Sequence, residues 1–154
     1  MILGIPNVGK STIINTLAGR KIAKTGNKPA VTKQQQRINI EQNFVLLDTP
    51  GFLWPRLTPH SCGLKLAVSG AIKDAVTEFE DLAFWAVRYL ADNYPNELMS
   101  RYNLEGLPDT EMEILEAIAG KRGCLGRGGV VNLNKVSQVV VLDYRQSKMG
   151  RLSL

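Results

Sequence analysis

Apolar positions along the chain follow two different rhythms, one short and strand-like, the other helical. Met1 to Leu3 read as the end of an apolar strand, Gly4 to Lys10 as a glycine-bearing turn, and Ser11 to Gly19 as a helix with Ile13, Ile14 and Leu17 on its inner face. Residues 20 to 37 are basic and polar, with Gly26, Asn27 and Pro29 as turn residues, which predicts an exposed loop of a length that usually serves a function. Arg37 to Ile40 and Asn43 to Leu47 read as two strands, and Pro50 and Gly51 stop the second just after Asp48 and Thr49. From about Gly63 the alternation disappears and helical spacing takes over. Leu64, Ala67, Val68, Ala71 and Ile72 predict one helix, and Leu82, Trp85, Ala86, Tyr89 and Leu90 a second. Short helices are expected next. Asp109 is the expected cap of a helix that buries Met112, Leu115, Ile118 and Ala119 and ends at Gly120. A glycine-rich basic hinge, Gly120 to Gly129, leads to a final helix with Val136, Val139, Val140 and Tyr144 facing inward. No internal repeat is visible. The pattern predicts an α/β segment over residues 1–62 and an all-helical domain over 63–154.

Composition narrows the class. With 154 residues and 44% hydrophobic content the chain can bury an ordinary core. No stretch approaches the roughly 18 apolar residues of a membrane span, and no charged n-region of a signal peptide precedes Ile2, so a cytoplasmic protein is expected. Cys62 and Cys124 lie far apart with no pair at metal spacing, which argues for reduced structural thiols. The net charge of +5 hides a segregation. Residues 1–60 carry eight Lys/Arg against two Asp/Glu, residues 61–120 four against eleven, and residues 121–154 seven against one. Two basic ends around an acidic middle suit a protein that touches polyanions, although solvated surface charge alone also produces such blocks.

The strongest chemical signal is Gly4-Ile-Pro-Asn-Val-Gly9-Lys10-Ser11, which satisfies G-x-x-x-x-G-K-[ST] between a strand and a helix. Glycines let backbone amides turn toward phosphates, the helix start adds its positive end, and Lys10 reaches the β- and γ-phosphates as a point charge. Ser11 is then a candidate Mg²⁺ ligand. Asp48-Thr-Pro-Gly51 closes the second strand, where Asp48 can reach the metal and Gly51 can offer its N–H to a γ-phosphate. The tetrapeptide is weak alone, but about forty residues after a P-loop it places both motifs on neighbouring strands. Thr32, in the exposed loop between them, is the candidate switch hydroxyl that joins Mg²⁺ only with the γ-phosphate present, against an ordinary loop threonine. The catalytic candidates are thus Lys10, Thr32 and Gly51. Two expected parts are missing. Asn27-Lys28 is followed by Pro29-Ala30 and Asn134-Lys135 by Val136-Ser137, so neither completes the guanine-reading Asn-Lys-x-Asp, and Phe52 stands where a water-orienting glutamine is often found.

Gly4-Ile-Pro-Asn-Val-Gly-Lys-Ser-Thr12, Asn27-Lys-Pro-Ala-Val-Thr32, Asp48-Thr-Pro-Gly-Phe-Leu-Trp-Pro55 and Lys65-Leu-Ala-Val-Ser-Gly-Ala-Ile-Lys-Asp74 together resemble the YlqF/RbgA family of circularly permuted GTPases. The resemblance covers most of the chain. It implies a partial α/β P-loop NTPase, a three-layer sandwich, followed by a small all-α domain, with the base-reading motifs placed before the P-loop and so expected outside this chain. A fragment of that kind is expected to expose strand edges and apolar surface. The resemblance implies nucleotide contacts from Asn7, Val8, Gly9, Lys10, Ser11, Thr12 and Gly51, with Ser11 and Thr32 on Mg²⁺ and Asn7 on a possible K⁺. It also implies GTP hydrolysis by a protein that acts in assembly of the large ribosomal subunit and touches rRNA through its helical domain; apart from the resemblance, a monomer is expected.

In the tail, Lys135, Arg145, Lys148 and Arg151 are the RNA-binding candidates, set to line one side of a helix and follow a phosphate backbone. Aromatic residues are scarce there, which favours structured RNA over single strands. A solvated basic helix packed on the acidic middle segment is the plainer alternative. Two rival functions stay open: an RNA-binding module with defective nucleotide binding, and a P-loop NTPase of other specificity.

Overall fold

The computed structural model describes residues 1–23, 34–41, 44–53, 57–72 and 78–154. Two strands, β1 (Gln36–Glu41) and β2 (Phe44–Asp48), pair antiparallel, with Ile38 opposite Leu46 and a bulge between Asn39 and Glu41. Those two facing residues are both buried, as the alternation requires. The apolar start of the chain contributes no full strand. Ile2 forms a single parallel bridge to Asp48, held by Ile2 N donating to Leu47 O at 3.1 Å.

Helix α1 (Lys10–Leu17) covers this small sheet, and Ile14 joins Ala23, Ile38 and Leu46 in a cluster of its own. Ile13 and Leu17 were expected beside Ile14, but they stand 52% and 58% exposed. The described part of the sheet is only two strands and a bridge wide, so it can cover one edge of the helix stripe and not all of it. Asn15, in mid-helix, takes a role that its polarity alone does not announce. Its Oδ1 accepts from Ile22 N and Ala23 N at 2.9 and 2.8 Å, while its Nδ2 donates to Ala23 O at 2.9 Å. The chain leaving α1 is thereby tied back against the helix.

The remaining helices are α2 (His60–Val68), α3 (Phe79–Asn93), α4 (Pro95–Tyr102), α5 (Glu111–Arg122) and α6 (Leu133–Arg145). Their core is a second cluster in which α3 is central, with Leu82, Ala83, Ala86, Val87 and Leu90 fully covered. Trp85 and Tyr89 were expected in that stripe. They sit at its edge instead, stacked at 5.2 Å, because Ala83 and Val87 take the inner positions. On α5 and α6, Ile114 and Val141 are buried in the same way, whereas Met112 is exposed.

Two expected helix ends are corrected. Thr110, not Asp109, caps α5: its hydroxyl accepts from Glu113 N while Glu113 receives Thr110 N, a reciprocal pair that Asp109 cannot form. The helix runs through Gly120, which costs only about 1 kcal/mol in a helix interior, and stops at Gly123, where the backbone turns left-handed at φ 64°.

One polar cluster is built into the helical core. Buried Asp143 on α6 accepts from Arg101 Nε at 3.0 Å, from Arg101 Nη2 at 2.9 Å and from the Tyr102 hydroxyl at 3.3 Å, and pairs with Lys148 Nζ at 3.2 Å. Burial, and next the Asp143 carboxylate, push the Tyr102 hydroxyl far above the ordinary phenol range, so it stays protonated and donates.

Candidate functional site

The site is made where the bridge at Ile2 sets the start of the chain beside the end of β2. Thr49 Oγ1 donates to Ile2 O at 2.6 Å, on the far side of the same bridge, so two bonds clamp the residues leading into the P-loop against the Asp48-Thr-Pro-Gly51 segment. The two motifs therefore lie side by side, and Ser11 Oγ donates to Asp48 Oδ2 at 3.2 Å. Asp48 is buried at this meeting point.

Between Gly4 and Lys10 the backbone folds into a tight loop, with positive φ at Asn7 (57°) and at Gly9 (84°). Gly9 leads directly into α1, whose first turn holds no acidic residue, so the positive end of the helix is not offset from within. Lys10 is buried, and its Nζ donates to Ile5 O at 2.7 Å and Gly4 O at 3.1 Å, which suspends the ammonium over the loop. A ring of turned backbone, a helix start and a held ammonium suit a polyphosphate.

Any residue but proline could offer the N–H at position 51; glycine is required there for a steric reason. A Cβ there would lie 2.5 Å from both the N and the Cα of Pro6 and 2.9 Å from the carbonyl carbon of Ile5. These are backbone atoms of the P-loop and cannot swing away. Gly51→Ala is expected to push the two motifs apart, lowering stability by about 1–3 kcal/mol and weakening nucleotide binding with it. Thermal melting and a nucleotide titration check the two effects, and a variant with wild-type values in both would show that the approach is not needed.

The donor set suits a hard cation. A serine hydroxyl and a carboxylate are oxygen ligands of the kind Mg²⁺ takes together with phosphate oxygens. No group of three or more His, Cys, Asp or Glu side chains that could hold a metal is found among the described residues. Such an ion would lean on the phosphates.

Of the expected site residues, the structure brings Asn7, Val8, Gly9, Lys10, Ser11, Thr12, Asp48 and Gly51 to one place. Thr32, and with it most of the expected switch loop, lies outside the described residues. So do Trp54-Pro55 and Lys73-Asp74. Phe52 is exposed beside Gly51.

The RNA candidates do not share one side of a helix. α6 ends at Arg145, and Lys148 and Arg151 lie beyond it, because Ser147 leaves helical geometry at φ 54°. Lys135 Nζ donates to Gly123 O at 3.0 Å and Lys148 pairs with Asp143, yet both side chains and Arg151 are exposed. Arg145 is half-buried and donates from Nε to Val68 O at 3.0 Å and from Nη2 to Ala67 O at 2.9 Å. The acceptor of these bonds that sequence reading missed is the last turn of α2, whose end is signalled in the sequence only by Gly70 just beyond it.

Comparison with known proteins shows the family. Residues 1–116 match the family model described as "50S ribosome-binding GTPase". The chain is 49% identical over 150 residues to a protein named ribosome biogenesis GTPase A from Priestia megaterium, covering 97% of this chain and 52% of that protein. It is 46% identical over 153 residues to the protein of the same name from Bacillus pumilus, covering 99% and 54%. Among solved structures, GNP-bound YlqF from T. maritima superposes with a TM-score of 0.69 at 28% identity, over 99% of this chain and 57% of that one. This chain thus spans about half the length of the curated relatives it matches.

Proposed function

Because the chain belongs to the 50S ribosome-binding GTPase family, we propose that it forms the phosphate-binding and hydrolytic part of a switch that binds GTP and GDP and acts in assembly of the large ribosomal subunit. The observation that carries this reading is one backbone loop that holds the Lys10 ammonium on its Gly4 and Ile5 carbonyls and runs into a helix whose Ser11 hydroxyl is bonded to the Asp48 carboxylate.

Within that loop, backbone amides and Lys10 hold the β- and γ-phosphates and meet the negative charge that develops on them as the terminal bond breaks. Ser11 and Asp48 would hold Mg²⁺, and Thr32 would be a further ligand in the GTP state. The ion would supply neutralisation of phosphate charge there. Asn7 is the candidate for a K⁺ nearby. Gly51 keeps the second motif close enough for its N–H to sense the γ-phosphate. Phe52 has no hydrogen-bonding group to orient the attacking water, so that group comes from elsewhere and turnover alone is slow. The names of the relatives support ribosome assembly as the setting. Exposed Lys135, Lys148 and Arg151 support contact with an rRNA backbone, in a cytoplasmic monomer whose GTP state holds the precursor and whose GDP state releases it. Arg145 is left out of that surface because its guanidinium is engaged within the fold.

One observation favours a second reading, an RNA-binding module that holds nucleotide poorly: neither Asn-Lys pair is followed by the base-reading aspartate. Thermal melting of this chain with Mg²⁺ and GDP, GTP or ADP separates the readings. A guanine nucleotide at a hundredfold excess over its Kd is expected to stabilise by about 2.7 kcal/mol, with phosphate released slowly from GTP. No protection by either guanine nucleotide leaves the RNA module. Equal protection by ADP points to a P-loop NTPase of other specificity.

A further inference from the structure

The carboxyl end of α2 is gripped by side chains from the two ends of the chain. From the P-loop, Asn7 Nδ2 donates to Gly70 O at 3.3 Å. From the last residue of α6, Arg145 donates to the carbonyls of Ala67 and Val68 at 2.9 and 3.0 Å. The same guanidinium lies 5.8 Å from the ring centroid of Phe79, the first residue of α3. Gly70 is the point where the two grips meet. It sits at φ 82°, and a Cβ on it would stand 3.3 Å from Arg145 Nε and 3.4 Å from Asn7 Nδ2. Asn7 and Arg145 thus close on one backbone turn from either side.

We propose that Arg145 is a positioning residue for the nucleotide site: by holding the last turn of α2, it fixes the Gly70 carbonyl that in turn holds Asn7 and the P-loop. This rests on the nucleotide reading above. The chemistry fits such a task. A helix end presents carbonyls that carry partial negative charge and spare lone pairs, so a guanidinium binds them through charge-assisted bonds even where, as at Ala67 O, Gly70 N already donates at 3.0 Å. Two bonds from one rigid fork set the direction of the turn as well as its distance, which a lysine ammonium cannot do. At the other end, Asn7 sits at φ 57°, a left-handed conformation that asparagine tolerates better than most residues, and its side chain is tied to Gly70 O at 3.3 Å. The P-loop and α6 consequently share one intermediate, and whatever orders one orders the other. By reciprocity, a filled nucleotide site tightens the α2–α6 contact.

The test uses the whole chain, with hydrogen exchange of residues 4–10 in the nucleotide-free protein and the Kd for fluorescent GDP, both well below melting. Arg145→Gln and Gly70→Ala are expected to speed the exchange and to weaken GDP binding by about tenfold. Arg145→Lys recovers only part of either. Val140→Ala, a cavity in the buried face of α6, serves as the comparison: it lowers the melting temperature and leaves both readouts at wild-type values. Wild-type exchange and affinity in Arg145→Gln would overturn the proposal, and so would equal changes in Val140→Ala, since the effect would then be global stability. A wild-type chain that binds no GDP, while Arg145→Gln still loosens residues 4–10, would uphold the Arg145 to Asn7 link and discard the nucleotide reading.

Discussion

Lys10→Ala is expected to weaken GDP and GTP binding by roughly 100- to 1,000-fold, the largest effect of any single change at the site. Hydrogen bonds to charged groups contribute about 1.5–3 kcal/mol each, and for an ammonium shared by two phosphates the lower part of the summed range, about 3–4 kcal/mol, applies because the free ammonium already bonds two carbonyls. The ammonium is already in place: it is buried and held by the carbonyls of Gly4 and Ile5, so little ordering is needed when phosphate arrives. Backbone amides and the start of α1 persist in the variant, which is why a residue of affinity survives. Losing the two carbonyl contacts should cost the nucleotide-free protein about 1–3 kcal/mol, the range for leaving a buried acceptor without its donor. Titration with fluorescent GDP and melting of the free protein measure the two effects separately. Binding of a structured rRNA fragment is expected to be retained, because Lys135, Lys148 and Arg151 belong to the helical part. An affinity for GDP within threefold of wild type would remove Lys10 from the site, and equal loss of RNA and nucleotide would undo the separation into two functions.

Asp143→Ala should destabilise the protein by roughly 2–3 kcal/mol, far more than the removal of any one of its partners on the surface. Breaking a buried ion pair by deleting one member typically costs about 3–5 kcal/mol, since the other charge is left without compensation. Here the figure is lowered by exposure: the Arg101 side chain is 24% exposed and that of Lys148 47%, so both cations regain some water. The Tyr102 hydroxyl is the group that cannot, being fully covered against α6, and it loses its acceptor outright. A drop of roughly 5–10 °C in melting temperature is expected. Lys148→Ala should lower it by far less, as half-exposed ion pairs contribute under about 1 kcal/mol. If the two variants melt together, Asp143 is not the centre of the cluster.

Much of this protein could be read before its fold was known. The P-loop was legible because its spacing is dictated by phosphate geometry, and the identities of Gly4, Gly9, Lys10 and Ser11 carry that chemistry wherever the loop is placed. The two strands and the longer helices were legible because burial on one face imposes a period, which Ile38 and Leu46 keep in β1 and β2 and Leu82, Ala86 and Leu90 keep in α3. One helix start was legible but misread: Asp109 and Thr110 are both good caps, and only Thr110 has a glutamate three residues on, the spacing that its reciprocal bond with Glu113 requires.

What the tertiary structure alone decided is which distant groups meet. Composition marked Arg145 as one more cation in a basic tail, yet the helix end it faces is more than seventy residues away in sequence, and no local pattern encodes that approach. The same holds for Gly51, whose steric constraint is the backbone of Pro6, and for Asp143, the one acid among the last 34 residues, which becomes the hub of a buried cluster. Propensity and periodicity act over a few residues, so the sequence by itself determined the elements and the phosphate loop. Contacts between elements depend on how their faces pack, and that packing turned a lone glycine after α2 into the place where the P-loop and the last helix are held together.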